Sequence, residues 1–303
     1  MTEQAQRLQP SPEILFEPEF LRRLEQLTLF SRRAMAGQLQ GERRSPKRGQ
    51  SVEFADFRPY VDGDDIRRID WNVYARLEKF FLKLFIEEED LTVHLLIDNS
   101  RSMDWGAPNK LWYARRLAGA LGYVTLSGLD RVTATALARQ DAEGVFPARR
   151  GKRQSLQLFE FLRYMEPGGE LSLAARLAHY AAAVHQPGPL VLLTDLYDPD
   201  WRAALGSLLA RRFEINLIHI LSPQEIDPPV EGDVELKDSE TRQTLEVTAD
   251  YLLLERYRDN LAAWKDEIRS YCQARQINYV PVISTVPFEA LMFAVLRQRG
   301  LLR

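Results

Sequence analysis

The sequence predicts an α/β fold, a doubly wound and mostly parallel sheet preceded by an N-terminal helical and extended segment and carrying an inserted β-hairpin. Three observations predict it. From Leu91 onward, apolar strand-like runs alternate with stretches of helical spacing, the pattern of parallel βαβ units. Two alternating runs around a polar turn interrupt this pattern before the last long helix. Ahead of it, Leu and Phe recur at helical spacing near the N-terminus and give way to a basic stretch with turn residues.

In chain order, Pro18 to about Gly37 reads as an amphipathic helix through Phe20, Leu21, Leu24, Leu27 and Phe30. The basic stretch Arg43 to Arg48, broken by Ser45, Pro46 and Gly49, reads as a loop, either solvated or in contact with a phosphate or partner. The expected strands are Leu91 to Ile97, Val132 to Ala138, Val145 to Ala148, Leu190 to Thr194, Ile215 to Leu221 and Ile277 to Ser284. Helices are expected over Lys110 to Ser127, Leu156 to Met165, Leu173 to His185, Trp201 to Ala210 and Tyr251 to Arg275. The hairpin pairs Gly232 to Lys237 with Gln243 to Ala249. This divides the chain at 87/88, with residues 1–87 as an N-terminal segment and residues 88–303 as the sheet domain, hairpin insertion at about 230–250.

Composition narrows the function classes. The 303 residues carry a formal charge of −3, with a pI near 5.9, so no chain-wide attraction draws them to nucleic acid or an anionic membrane. One cysteine, Cys272, rules out an intrachain disulfide framework and fits a reducing compartment, where it reads as a small buried apolar residue. The first residues, Met1 to Pro12, lack the order of a secretory signal, and no run approaches the ~18 to 20 apolar residues of a membrane span. A cytoplasmic protein is expected.

The chemistry concentrates at two strand ends. Leu91 to Ile97 runs into Asp98-Asn99-Ser100-Arg101-Ser102, where alternate residues of an extended loop bring one carboxylate and two hydroxyls to the same side. Hard divalent cations such as Mg²⁺ prefer oxygen donors of this kind. A second carboxylate, Asp195, ends the apolar run Leu190 to Thr194. If the two strands are neighbours where the strand order reverses, both acids face the crevice in which open α/β sheets bind ligands. The alternative is that each acid caps the helix that follows it.

Asp98, Ser100 and Ser102 with Asp195 resemble the metal-ion-dependent adhesion site of von Willebrand A domains. More specifically, Phe54-Ala55-Asp56-Phe57-Arg58-Pro59-Tyr60 and Gly63-Asp64-Asp65-Ile66-Arg67-Arg68-Ile69-Asp70-Trp71 resemble the MoxR-associated family known as domain of unknown function fifty-eight. The C-terminal part, with Trp264, Cys272, Tyr279, Pro287, Glu289 and Leu296-Arg297-Gln298-Arg299-Gly300-Leu301-Leu302, is similar to the same family. The resemblance implies a von Willebrand A-like fold, a bound Mg²⁺ (or Mn²⁺ or Ca²⁺) completed by an acidic residue of a partner, and a MoxR-type AAA+ ATPase as working partner in maturation or remodelling of a client protein. The adhesion-site pattern also expects a mid-chain threonine. Here Gly168-Gly169-Glu170-Leu171-Ser172 stands in its place, with Glu170 or Ser172 as substitutes or the ligand missing.

Other residues fit more than one role. Arg58, Asp64, Asp65, Arg67, Arg68 and Asp70, with Tyr60 and Trp71, read either as a brace of ion pairs around a buried indole or as a docking surface. His94 and His219 lie in apolar strands and read as satisfied core histidines. A nucleophile elbow and a glycine-rich phosphate loop are both missing from the sequence. The expectation is therefore a non-catalytic, metal-dependent adaptor. A metal-dependent phosphoester hydrolase and a structural fold with a vestigial site remain as alternatives.

Overall fold

The computed structural model describes residues 16–29, 52–61, 64, 66, 69–87, 91–139, 141–169, 172–238 and 243–302. The chain divides into two compact units, Met1–Ser31 with Leu91–Arg303, and Arg32–Asp90. This differs from the expected division at 87/88 in two respects, the first being that the boundary falls at 90/91. The second is that the N-terminal helix belongs to the large unit, because Phe16, Phe20, Leu24 and Leu27 are buried in that unit's core.

The large unit is built on a six-stranded sheet. In chain order its elements are α1 (Pro18–Leu24), β1 (Thr92–Ile97), α2 (Lys110–Ser127), β2 (Arg131–Ala136), β3 (Val145–Arg150), α3 (Ser155–Arg163), α4 (Leu173–Ala183), β4 (Pro189–Thr194), α5 (Trp201–Ala210), β5 (Glu214–Leu221), α6 (Pro223–Ile226), the hairpin strands β6 (Gly232–Lys237) and β7 (Thr244–Ala249), α7 (Tyr251–Ala274) and β8 (Asn278–Ile283). The spatial strand order is β8-β5-β4-β1-β2-β3, parallel throughout except that β3 runs antiparallel to β2. The expected strands of the sheet and the helices from Lys110 onward form, with bounds shifted by at most two residues. The mainly parallel sheet of a mixed α/β fold is thus present, and the hairpin pairs antiparallel from Gly232↔Ala249 to Lys237↔Thr244.

Two-residue alternation along each strand feeds a separate core on each face of the sheet. Val93, Leu95 and Ile97 of β1, Val191 and Leu193 of β4, and Ile218 and Ile220 of β5 join one cluster with α1 and α2. Leu96, Leu190, Leu192, Ile215 and Leu217 join the other, with α4, α5 and α7. Strands buried on both faces must be apolar almost without interruption, which is why these runs were legible. Helix α2 is buried nearly all round; a Cβ at its Gly122 would stand 2.3 Å from Leu158 of α3, so glycine there permits the close approach of the two helices.

The N-terminal helix is shorter than its periodicity suggests. It ends at Leu24, the chain turns at Glu25 and Gln26, and Leu29 forms an antiparallel bridge with Leu302. Phe20, Leu24 and Leu27 are buried in the core, and Leu29 is held by the bridge. Phe30 to Gly37, the basic stretch Arg43 to Arg48, and Glu88 to Asp90 lie outside the described residues.

The small unit contains an element that the sequence reading did not anticipate. Strand β9 (Val52–Pro59) pairs antiparallel with β10 (Phe81–Glu87), and the short helix α8 (Trp71–Leu77) lies between them. Asp70 caps α8, its carboxylate accepting from the N–H groups of Asn72 (2.9 Å) and Val73 (3.3 Å). The expected buried indole is corrected: Trp71 is 61 % exposed and stands edge-on to Tyr74 and Phe80. It occupies the first helical turn, where it meets neighbouring aromatic rings at the surface of the unit. Trp71→Ala should therefore cost about 1 kcal/mol, the scale of an aromatic edge contact, and not the ~3 to 5 kcal/mol of a buried aromatic. A urea unfolding curve shifted by the larger amount would place the ring in a core.

The strand histidines are satisfied core residues. His94 meets the Tyr180 hydroxyl (2.7 Å) and the Gln186 carbonyl (3.2 Å), and His219 meets the Tyr279 hydroxyl (2.8 Å) and the Asp195 carbonyl (3.0 Å). Burial lowers the His94 imidazole from 6.5 to about 4, partly opposed by the bond to Gln186. Between those values the unfolded chain binds the extra proton, so the stability tied to neutral His94 is complete above pH ~6.5 and is lost as pH falls through ~4. On going from pH 7.5 to 5 the wild type should lose about 2 kcal/mol more than His94→Gln in matched urea titrations. Equal losses would mean that the ring is solvated.

Candidate functional site

Strands β1 and β4 are parallel neighbours, His94↔Leu190 through Ile97↔Leu193, and the chain order reverses between them. Asp98 and Asp195 therefore emerge side by side at the carboxyl end of the sheet, where ligand crevices of such folds lie. The ladder continues one step beyond β1, with the Asp98 N–H donating to the Leu193 carbonyl (2.9 Å) and the Leu137 N–H donating to the Ile97 carbonyl (2.9 Å). Both aspartates are buried. A cavity of about 250 Å³ is lined by Asp98, Ser100, Ser102, Ser172, Thr194 and Asp195, with Tyr197 and Asp198 at its side.

The Asp98 carboxylate is held on both oxygens. Its Oδ1 accepts from the Ser100 N–H (3.0 Å) and the Ser100 hydroxyl (2.6 Å), and its Oδ2 accepts from the Thr194 hydroxyl (2.7 Å). Ser102 Oγ lies 3.0 Å from Ser100 Oγ. Burial pushes the Asp98 carboxyl up to about 6; the charge of Asp195 adds to this, and the bonds from Ser100 and Thr194 oppose it. Asp195 Oδ2 instead accepts from the Lys110 ammonium at 2.7 Å, and Oδ1 meets the Tyr197 N–H at 3.4 Å. Neither aspartate acts as a simple helix cap.

The loop after β1 is positioned by Asn99, the residue between Asp98 and Ser100. Its side chain donates to the Glu166 carbonyl and accepts from the Ala138 N–H, both at 2.8 Å, while its own carbonyl accepts from the Gly168 N–H at 2.6 Å. A Cβ on Gly168 would fall 2.3 Å from that of Ala138, so the loop 166–169 approaches closely only as glycine. Ser172 caps α4 through the Ala175 N–H (3.3 Å), and Asp198 accepts from the Leu173 N–H (2.6 Å), which ties that helix start to the loop after β4. Beside Asp195, Leu196 adopts φ 57, a conformation costly for a bulky residue and concentrated at functional sites.

The structure thus gathers Asp98, Ser100, Ser102, Asp195 and Ser172 about one cavity. Glu170 lies outside the described residues, as do Asp65, Arg67 and Arg68. In the small unit, Arg58 pairs with Asp64 (2.8 Å) and Asp70 caps its helix. Thr194, Asn99 and Lys110 escaped the sequence reading. Thr194 and Asn99 stood in quoted motifs as mere neighbours of the acids, and Lys110 carries no local signal because it begins an otherwise ordinary helix.

The donors suit a hard cation. A serine hydroxyl that gives its proton to Asp98 keeps its lone pairs for an ion, and two carboxylates removed from water in one cavity favour a positive charge between them. Among the described residues no group of three His, Cys, Asp or Glu side chains is arranged for a metal; the oxygen donors gathered at the cavity include the Asp98 and Asp195 carboxylates and the Ser100, Ser102 and Thr194 hydroxyls.

Fold and site together define a mixed α/β protein with a carboxylate and hydroxyl cluster at the switch point of its mainly parallel sheet. The chain belongs to the family described as protein of unknown function DUF58, which it matches over residues 56–267. Proteins described as uncharacterized from Mycobacterium bovis and Mycobacterium tuberculosis are 28% identical over 259 residues, 83% of this chain and 81% of theirs. Among solved structures, an aerotolerance-related membrane protein from Bacteroides fragilis is 16% identical with a TM-score of 0.42, covering 69% of this chain and 98% of that one. BatB from Bacteroides thetaiotaomicron is 13% identical with a TM-score of 0.39, covering 69% and 96%. Among the described residues no helix is long and apolar enough to cross a membrane.

Proposed function

We propose that the chain is a non-catalytic, metal-dependent protein-interaction adaptor of von Willebrand A type. Asp98, Ser100, Ser102 and Asp195, with Ser172 at the rim, hold Mg²⁺ or another hard divalent cation and leave a coordination position for a carboxylate of a partner. The observation that carries this reading is the convergence of two buried aspartates from adjacent parallel strands on a single hydroxyl-lined cavity. The ion supplies a Lewis-acidic bridge to an acidic side chain; the chain's own hydroxyls and carboxylates orient that bridge. By its family resemblance the working partner is a MoxR-type AAA+ ATPase, acting in the cytoplasm on a client protein.

Asp98→Asn tests the site. The substitution removes a charge from the ligand set, so Mg²⁺ affinity by calorimetry should fall at least about tenfold. The metal-free protein should keep or gain stability, because a neutral amide escapes the desolvation that pushes the buried carboxyl up to about 6. Affinity capture should retain an AAA+ ATPase in Mg²⁺ and lose it with chelator or with the variant. Unchanged Mg²⁺ affinity would sink the metal site, and chelator-sensitive turnover of phosphoesters would replace the adaptor by a hydrolase.

A further inference from the structure

Lys110 has no role in the metal site as so far described, yet its side chain is completely buried beside it. Its ammonium donates to Asp195 Oδ2 (2.7 Å) and to Glu225 Oε1 (2.5 Å), and lies 5.2 Å from the centre of the Tyr197 ring. Glu225 is itself fixed: its Oε2 accepts from the Ser222 N–H (2.6 Å) in a capping box, and its backbone carbonyl accepts from the Tyr257 hydroxyl (2.6 Å). The two aspartates of the cavity are therefore not equivalent. Asp98 is held by two hydroxyls and an amide, whereas Asp195 has one oxygen committed to a cation that the protein itself supplies.

We propose that Lys110 is a positioning residue that competes with the divalent cation for Asp195, so that the free protein holds its ion loosely and holds it firmly only when a partner carboxylate joins the ligand set. The inference rests on the metal-site reading above. A lysine that filled space alone would not need two acids, and one of the two acids here, Asp195, lines the cavity. With Asp98, Asp195 and Glu225 opposed by one ammonium, the local charge is one unit less negative than the acids alone would make it. Ligand charge count is a main lever on affinity for hard cations. The weakened hold makes a partner's acid a thermodynamic requirement for full occupancy, which couples docking to the metal. Glu225 gives the ammonium a second acid to rest on when the ion draws Asp195 away.

Titration calorimetry with Mg²⁺ on the purified full chain, Lys110→Met and Glu225→Gln tests this. Lys110→Met should bind Mg²⁺ at least about tenfold more tightly, since a unit positive charge resting on one carboxylate of the cavity is removed. Glu225→Gln should bind about threefold or more weakly, because the whole ammonium charge then falls on Asp195. A lysine with only a structural role would lower the melting temperature without tightening Mg²⁺. Equal or weaker binding by folded Lys110→Met overturns the inference while wild-type binding keeps the metal site. If Lys110→Met does not fold, equal or tighter binding by Glu225→Gln overturns it. Absence of Mg²⁺ binding in the wild type and both variants overturns both readings together.

Discussion

Lys110→Met in chelator-treated buffer is expected to lose about 3 to 5 kcal/mol of unfolding free energy, the range for removing one member of a buried ion pair. The ammonium is completely buried, and its partners Asp195 and Glu225 are only 2 % and 12 % exposed in their side chains. The loss reflects two stranded carboxylates more than a lost attraction. Combining the change with Asp195→Asn and Glu225→Gln should therefore recover most of it, as a neutral set of similar volume no longer carries buried charge. Urea titrations of the single and triple variants measure both quantities. A single-variant loss under about 1 kcal/mol would mean that Lys110 is solvated in the native protein.

Asn99→Ala should cost about 1 to 3 kcal/mol, because the buried Asn99 side chain loses its bonds to two partly buried backbone groups, the Ala138 N–H and the Glu166 carbonyl, each worth ~0.5 to 1.5 kcal/mol. The same substitution should weaken Mg²⁺ binding although Asn99 is not itself a ligand. It fixes the loop after β1, and a loosened Ser100 and Ser102 lose their convergence with Asp98. Differential scanning calorimetry with and without Mg²⁺ separates the two effects. A variant with wild-type Mg²⁺ affinity and lowered stability would confine Asn99 to a bracing role.

Much of the large unit was legible because burial on both sheet faces leaves strands such as Leu190 to Thr194 nearly all apolar, and because turns and capping residues punctuate the helices between them. Asp98 and Asp195 could be singled out for the same local reason: each is a charged residue directly following an apolar strand. The small unit was less legible. Its two strands are separated by α8, so their pairing is neither a tight hairpin nor a βαβ crossover, and Trp71 looked like a core residue only because indoles usually are.

The sequence by itself determined the order of strands and helices, the hairpin before α7, the placement of two acids at strand ends and the hydroxyls two and four residues beyond the first. These are properties of neighbouring residues, read through periods of two and 3.6. Only the tertiary structure decided that β1 and β4 are adjacent, that Thr194 donates to Asp98, and that Lys110 crosses 85 positions of sequence to hold Asp195. Such contacts depend on which strand lies beside which, and the free energy of burying a charge depends on every group that surrounds it. Neither quantity has a local period, so neither is written in any single stretch of the chain.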